Sequence, residues 1–396
     1  MNNNMESKPK WNSVILLFTS QALFQTASIM VMTLSGMVGL DLATDKNLAT
    51  LPIAMISVGT ATMMIPASLL IKKLGQKKTF LIGTILGMMA GFLSFYGILH
   101  RSFAIFVIGN MLVGCYQGFA QYYRFAAADT VPEAAKAKAL SFVVAGGVVA
   151  AIAGPNLARY TQHIGEVPFA YSYLSITLLS IGAFFIIFNL KLRKATIQTV
   201  EDIAEKSRPL LEILRQKDTL TAIVSSAIGY SVMIMIMTAT PLAMHHCGHS
   251  SDDAATVIQW HVLGMFVPSF FTGTLINKFG VRRLMFVGVI ILFLHVTFAL
   301  TGTDFFNFVS GLILLGVGWN FMFIGGSTLL TKVYTLAEKE KTQAFHDFFV
   351  FAVISISSFS AGSILNLWGW RGVNLATIPL LLFALIIMIS LKKIKE

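Results

Sequence analysis

Two pairs of residues with sulfur or imidazole side chains lie in adjacent apolar segments of this 396-residue chain. Met233 and Met237 are four residues apart in the first segment, and His261 and Met265 are four apart in the next. Residues at this spacing share one face of a helix. Thioether and imidazole groups are soft ligands that suit Cu(I) and not Mg²⁺, Ca²⁺ or Mn²⁺. The spacing therefore favours a copper site between two neighbouring helices.

The two pairs also match in depth, if both segments cross a membrane. At a rise of about 1.5 Å per residue, Met237 and His261 lie about 10 Å below the outer surface, and Met233 and Met265 about 16 Å. A Met-x-x-x-Met pair alone is weak evidence for a metal site, because methionine fills irregular cores and about one such pair arises by chance in this composition. A histidine in an apolar span needs a partner, and a hydrogen bond to a neighbouring helix is the alternative to a metal.

A second group of soft donors falls in the connection between the same two segments. It consists of Met244, His245, His246, Cys247 and His249. An exposed thiol flanked by imidazoles can capture Cu(I) or take part in redox chemistry. A polar loop that happens to be rich in histidine is the equally weighted alternative. The other cysteine, Cys115, is interpreted as a small buried apolar residue.

The segments that position these groups are membrane spans. Hydrophobic residues make up 56% of the chain and charged residues 12%, with a mean hydropathy of +0.75, which excludes a soluble or a disordered protein. A span needs about 20 apolar residues, and runs without alternation argue against a β-barrel. We predict an all-α membrane protein with twelve transmembrane helices, near Val14–Leu40, Leu51–Ile71, Phe80–Leu99, Phe103–Tyr122, Ala139–Ala158, Ala170–Leu190, Thr221–Met244, Ala254–Ile276, Leu284–Leu300, Phe306–Leu329, Phe348–Leu367 and Val373–Leu391.

The distribution of basic residues predicts the orientation. Of 29 Lys and Arg residues, 25 fall on the side of the two termini, and only Lys46, Arg101, Arg159 and Arg371 fall on the other. Basic connections stay in the cytoplasm, so we expect a multi-pass protein of the bacterial inner membrane with both termini cytoplasmic. The net charge of +11 then reflects topology in the lipid bilayer and not nucleic-acid binding.

An internal repeat predicts two bundles of six helices. SLLIKKLGQKK (Ser68–Lys78) follows the second span, and GTLINKFGVRR (Gly273–Arg283) follows the eighth, 205 residues later. We expect one bundle over residues 1–190, a cytoplasmic connecting loop over 191–218 and a second bundle over 219–396. The chain resembles the major facilitator superfamily, whose signature here is G-x-L-a-D-R-x-G-R-R. Lys72 and Asn277 replace the two acidic residues of that signature.

A narrower resemblance concerns the seventh and eighth spans. Their MTATPLAM and HVLGMFVPSFFTG sequences, with both four-residue spacings, resemble the CcoA-like bacterial copper importers. This resemblance implies import of copper by alternating access, supply of copper for cbb3-type cytochrome oxidase assembly, delivery to a cytoplasmic copper chaperone, and Met233, Met237, His261 and Met265 as ligands. The same branch includes relatives thought to carry riboflavin, so an organic solute is the alternative cargo.

The remaining polar residues of the spans leave several interpretations open. Cavity lining or hydrogen bonding between helices is expected for Gln21, Gln25, Asn110, Gln117 and His295. Arg124 with Asp129, and His346 with Asp347, are interpreted as gating or anchoring pairs, and His261 and His346 are the candidates for proton coupling. No phosphate loop, HExxH or nucleophile elbow occurs, so we expect neither an enzyme nor a bound cofactor. A proton-coupled efflux carrier and a non-transporting receptor are further candidate functions.

Overall fold

The computed structural model of the protein describes residues 11–45, 48, 51–162, 164–192 and 207–390. Within these residues every regular element is a helix. The first ten spans are α1 (Trp11–Leu42), α2 (Leu51–Leu74), α3 (Gln76–Leu99), α4 (Phe103–Ala128), α5 (Glu133–Thr161), α6 (Ala170–Phe188), α7 (Lys217–His246), α8 (Asp253–Phe279), α9 (Val281–Thr301) and α10 (Phe305–Leu330). A short helix, Leu210–Leu214, precedes α7.

One further long helix, Lys339–Ser390, holds the last two spans. It bends at Gly369, whose φ of 65° lies in the left-handed region that glycine adopts without steric cost. We name the part before the bend α11 and the part after it α12. The described residues therefore contain the twelve predicted apolar helices, and the predicted all-α membrane fold is confirmed. Lys46, residues 193–206 of the predicted connecting loop and residues 391–396 lie outside the described residues.

These segments form helices because lipid offers no partner for backbone N–H and C=O groups, so each span must satisfy them internally. Local signals set some of the ends. Ser102 caps α4 by accepting a hydrogen bond from the backbone N–H of Ile105. Ser250 and Asp253 form a reciprocal capping box at the start of α8. Pro268 interrupts α8 two thirds of the way along, because proline lacks the backbone donor.

The chain divides into two compact units, Met1–Ile197 and Gln198–Glu396. In the first unit α4 packs on α2 and α3, α6 packs on α3, and α1 packs on α5 and α6. In the second unit α10 packs on α7, α8 and α9, and α7 also packs on the helix that contains α11 and α12. Helix α10 is thus the central element against which the candidate ligand helices α7 and α8 are placed.

The internal repeat appears in the backbone as well as in the sequence. Gly75, between α2 and α3, and Gly280, between α8 and α9, have φ values of 81° and 87° and are 205 residues apart. The pattern Thr-x-x-Glu-x-x-Lys occurs at the start of α5 and again at the start of α11, also 205 residues apart, at Thr130, Glu133 and Lys136 and at Thr335, Glu338 and Lys341. Residues of the two units can therefore be compared position by position.

Candidate functional site

His261 of α8 is fully buried and has one hydrogen-bond partner on α10. Its Nδ1 lies 2.8 Å from the carbonyl oxygen of Leu312. A carbonyl oxygen only accepts, so Nδ1 carries the proton and the lone pair is on Nε2. Nε2 is buried and has no hydrogen-bond partner. His261 therefore joins two helices, as the hydrogen-bonding interpretation required, and keeps a second nitrogen for a ligand.

The three predicted methionine ligands differ in exposure. Met233 and Met265 are buried, and Met237 is partly buried. Helix α10 approaches α8 closely beside Met265, because a Cβ at Gly316 would lie 2.6 Å from the His261 carbonyl oxygen and 2.6 Å from the Met265 amide nitrogen. The structure places these residues on helices that share α10 as a neighbour. Their convergence on one copper ion stays a prediction.

The soft donors of the connection between α7 and α8 do not gather around one point. Cys247 is exposed with a free thiol, and His245 and His246 are exposed as well. The Nε2 of His249 lies 2.8 Å from the carbonyl oxygen of Thr303. Within the described part of the chain, no three His, Cys, Asp or Glu side chains are grouped closely enough to hold a metal ion. Met244 is fully buried. Metal capture or thiol redox chemistry at this connection stays a prediction.

His295 of α9 flanks α10 from another side. It is fully buried, and its Nδ1 lies 2.7 Å from the carbonyl oxygen of Gly311. Gly311 and Leu312 are consecutive, so the imidazoles of His295 and His261 donate to neighbouring carbonyl groups of the same helix. Asn374 of α12 lies beside His295. Helices α8 and α9 are therefore tied to one turn of α10 by hydrogen bonds, and α12 lies beside one of the two imidazoles.

The polar residues predicted to line a cavity in the first unit connect helices. Asn110 of α4 accepts a hydrogen bond of 2.7 Å from Ser35 of α1 and donates one of 2.9 Å to the Phe106 carbonyl oxygen. Gln117 of α4 accepts a bond of 3.3 Å from Thr60 of α2. Gln21 is buried and Gln25 partly buried in α1. For Asn110 and Gln117, hydrogen bonding between helices is the interpretation that the contacts favour.

The contacts of the two predicted gating or anchoring pairs, Arg124 with Asp129 and His346 with Asp347, differ. Arg124 donates a hydrogen bond to Gln121, and Asp129 accepts one of 2.8 Å from Gln76. His346 and Asp347 contact each other directly, with Nδ1 and Oδ1 2.7 Å apart.

Sequence reasoning missed an aromatic cluster in the second unit. Tyr230 of α7 packs edge-on against Trp319 and Phe323 of α10, with ring centroids 5.3 and 5.2 Å away, and contacts Phe351 of α11 at 5.9 Å. Trp319 and Phe323 stack at 5.0 Å. Phe266, which follows Met265 in α8, packs on Trp319 at 5.9 Å. We call these five residues the aromatic cluster. The four-residue spacing of Trp319 and Phe323 was the one signal of it in the sequence.

One hydrogen-bond donor of the aromatic cluster has no partner in the described part of the protein. The indole N–H of Trp319 is buried and has no hydrogen-bond partner, although a buried donor normally has one. Aromatic faces stack on other planar rings, and an indole N–H can donate to a ring nitrogen or carbonyl. The cluster therefore combines buried aromatic rings with one donor that no described protein group satisfies, a composition that small-molecule sites share.

Comparison with known proteins places this architecture among transporters. The family model of the Major Facilitator Superfamily matches residues 17–258 and 222–396. The riboflavin transporter RfnT of Brucella anthropi is 38% identical over 378 residues, which cover 95% of each chain. The Escherichia coli fucose:proton symporter FucP superposes with a TM-score of 0.72 at 15% identity, over 96% of this chain and 98% of its own. An outward-facing bacterial homologue of the iron transporter ferroportin gives 0.72 at 14% identity, over 96% and 99%.

Proposed function

Because the chain belongs to the major facilitator superfamily, we propose that it is a secondary transporter that imports riboflavin or a closely related flavin across the bacterial inner membrane by alternating access. The observation that carries the proposal is the 38% identity to a riboflavin transporter along 95% of both chains. This similarity favours the organic cargo over copper.

The aromatic cluster supports a flavin as the cargo. The isoalloxazine ring of riboflavin is planar and aromatic, and it carries carbonyl oxygens and ring nitrogens that accept hydrogen bonds. Stacking of a heterocyclic base on an aromatic side chain contributes about 1–3 kcal/mol. In this proposal Tyr230, Trp319 and Phe323 provide the stacking surface, and the Trp319 indole N–H donates to the ring edge.

Uptake of labelled riboflavin tests the proposal. A bacterial strain that neither makes nor imports riboflavin should grow on micromolar riboflavin when it expresses this chain. Replacing Trp319 with Ala should raise the KM about tenfold to a hundredfold, which corresponds to the loss of one stacking partner. Phe306→Ala is the matched control on the same helix, because Phe306 is 72% exposed, and it should leave the KM unchanged. Absence of riboflavin uptake by the unaltered chain would exclude this cargo. Net export of riboflavin from the cells would indicate an efflux carrier.

Copper import is the second candidate function, and one observation favours it. His261 keeps a buried Nε2 with no partner, and Met265 is buried one turn away on the same face. In this version the transported ion is Cu(I), its ligands are Met233, Met237, His261 and Met265, and the metal passes to a cytoplasmic chaperone for oxidase assembly. A knockout strain would then lose cbb3-type oxidase activity, and added copper would restore it. Replacing His261 or Met237 with Ala should abolish radiocopper accumulation; unchanged accumulation would exclude this candidate.

A further inference from the structure

His346 and Asp347 form a fully buried pair at the beginning of α11. The His346 Nδ1 and the Asp347 Oδ1 are 2.7 Å apart. An ionised carboxylate only accepts hydrogen bonds, so Nδ1 donates and the imidazole lone pair is on Nε2. That nitrogen is buried and has no hydrogen-bond partner. Asp347 therefore orients an imidazole whose other nitrogen is free to accept a proton.

The fold does not require this pair. The residues 205 positions earlier, in the corresponding part of α5, are Ser141 and Phe142. Phe142 stacks on Phe18 with ring centroids 4.7 Å apart. The first unit thus packs the same position with a hydroxyl and an apolar ring. Ionisable groups within membrane spans are costly and are usually retained for function, so His346 and Asp347 need a functional explanation.

Buried hydroxyl groups lie on α7, which packs on the last long helix, and on α10, which packs on α7. Those without a hydrogen-bond partner are Ser225 and Ser226 of α7 and Ser327 and Thr328 of α10. The two helices touch there, since a Cβ at Gly326 would meet the Ser226 hydroxyl. Tyr230, one turn beyond Ser226, contacts Phe351, which is one turn beyond Asp347. Buried polar atoms without protein partners are normally satisfied by water, so these hydroxyl groups provide positions for water between α7 and α10.

Apart from Tyr230 of α7 and His295 of α9, the ionisable groups on the helices that pack on the last long helix lie near the helix ends. Helix α10 has none between Phe305 and Leu330, and α7 has only Tyr230 between Thr219 and Met244. Asp218 at the start of α7 pairs with Arg282, and Glu338 before α11 pairs with Arg208. The first turn of α11 carries Lys339, Glu340 and Lys341, about two turns from His346. His346 and Asp347 are thus the ionisable pair closest to the aromatic cluster in this part of the unit.

The pair is connected to the aromatic cluster through α11. Phe351 follows Asp347 by four residues, so the two share a helix face. Phe351 contacts Tyr230 at 5.9 Å, and Tyr230 packs on Trp319 at 5.3 Å. The carboxylate that holds His346 therefore lies on the face of α11 that contacts the aromatic cluster.

We propose that His346, held by Asp347, binds the proton that is transported together with the solute in each cycle. The proton adds to the Nε2 lone pair from water, the carboxylate balances the charge of the imidazolium, and the proton leaves to water on the predicted cytoplasmic side. The inference rests on the proposed transport of a flavin, and it names the ion that drives this transport.

Purified protein in liposomes separates coupling from solute binding. With the membrane potential clamped and the lumen one pH unit more alkaline, one proton per neutral solute gives about tenfold accumulation of riboflavin. We expect His346→Gln and Asp347→Asn to lose this accumulation, yet to exchange labelled for unlabelled riboflavin at equal pH at nearly the rate of the unaltered protein. His100→Gln, at an exposed histidine after α3, is the control and should accumulate normally. Accumulation that persists in either variant, or that follows a sodium gradient instead, would overturn the proposal.

A measurement without riboflavin tests the proton site at His346 separately from the proposed cargo. In ¹⁵N-histidine NMR spectra of the detergent-solubilised protein, the signal that disappears in His346→Gln should respond to the pH of the solution, because the proposal requires this imidazole to exchange a proton with water. An invariant signal would overturn the proton site even if riboflavin is transported. If the His346 signal responds to pH but the protein does not exchange riboflavin, the result would instead contradict riboflavin as the cargo. The same spectra show whether a variant that exchanges slowly has lost its fold.

Discussion

In the first unit α4 crosses α2 where Gly114 lies against the carbonyl group of Ile56, and in the second unit α10 crosses α8 where Gly316 lies against the carbonyl group of His261. Ile56 and His261 are 205 residues apart, as are Gly75 and Gly280 of the internal repeat. In both units glycine lets two backbones approach closely, as small residues do in membrane helix packing. The crossings are therefore equivalent in geometry, and they differ in that the second places an imidazole where the first has an apolar side chain.

A second pair of crossings shows the same difference. Gly109 of α4 lies against α3 at Ala90, and Gly311 of α10 lies against α9 at His295, again 205 residues after Ala90. Together with His346 this makes three buried histidines of the second unit, none of which has an ionisable counterpart in the first. Since the first unit builds its bundle without them, packing does not account for these imidazoles. Our proposals therefore assign ion or cargo binding to the second unit.

The largest expected effect comes from blocking the crossings themselves. Gly316→Val would place a Cβ 2.6 Å from backbone atoms of His261 and Met265, which cannot move aside without shifting α8. We expect a loss of more than about 4 kcal/mol and little folded protein, and the same for Gly114→Val. Gly362→Ala is the control, because nothing lies within 4 Å of its added Cβ. Size-exclusion profiles and melting temperatures in detergent measure the effect; a well-folded Gly316→Val beside an unfolded Gly114→Val would refute the equivalence of the two crossings.

The sequence predicted the spans and the repeat because apolar runs and the positions of Gly75 and Gly280 are local features. It did not reveal that His261 donates to Leu312, because a backbone carbonyl group has no signature in the side-chain sequence. The aromatic cluster was missed for a related reason, since Tyr230 and Phe351 come from helices far apart in the chain. The soft residues favoured copper as the cargo, whereas the similarity to a riboflavin transporter favours the organic cargo.

A smaller effect is expected when His261 is replaced by its counterpart from the first unit. His261→Ile removes one hydrogen bond, a loss of about 0.5–1.5 kcal/mol, and the added apolar surface offsets part of this loss. The melting temperature should fall by a few degrees, and riboflavin uptake should continue. If the protein also carries copper, radiocopper accumulation should disappear in the same variant.

The matched replacement Ile56→His in the first unit serves as the control for this prediction. It places an imidazole at a crossing that has no role in either proposal and should leave both cargoes unaffected if the protein folds. Loss of riboflavin uptake in His261→Ile, with normal amounts of protein, would show that His261 contributes to the flavin site. It would contradict the assignment of flavin binding to the aromatic cluster alone.

A third comparison concerns the two glutamates of the repeated Thr-x-x-Glu-x-x-Lys pattern. Glu338 is buried, and its two carboxylate oxygens each lie 2.6 Å from a guanidinium nitrogen of Arg208. Hydrogen bonds from Arg208 lower the pKa of Glu338 to about 2. Glu133 instead forms an exposed pair with Lys136 at 2.6 Å. The second unit thus fixes the segment before α7 to the segment before α11, whereas the corresponding contact in the first unit is local.

Glu338→Gln should therefore destabilise the protein by about 1–2 kcal/mol, after a reduction for the third of Arg208 that is exposed to solvent. Glu133→Gln should cost less than about 0.5 kcal/mol. Because the pKa of Glu338 is lower in the folded than in the unfolded protein, its stabilisation is complete above the unfolded pKa of about 4.3 and declines as the pH falls towards 2. Melting temperatures at pH 7 and near pH 3 should thus differ less in Glu338→Gln than in the unaltered protein. An equal pH response in both would show that the bidentate contact with Arg208 does not stabilise the second unit.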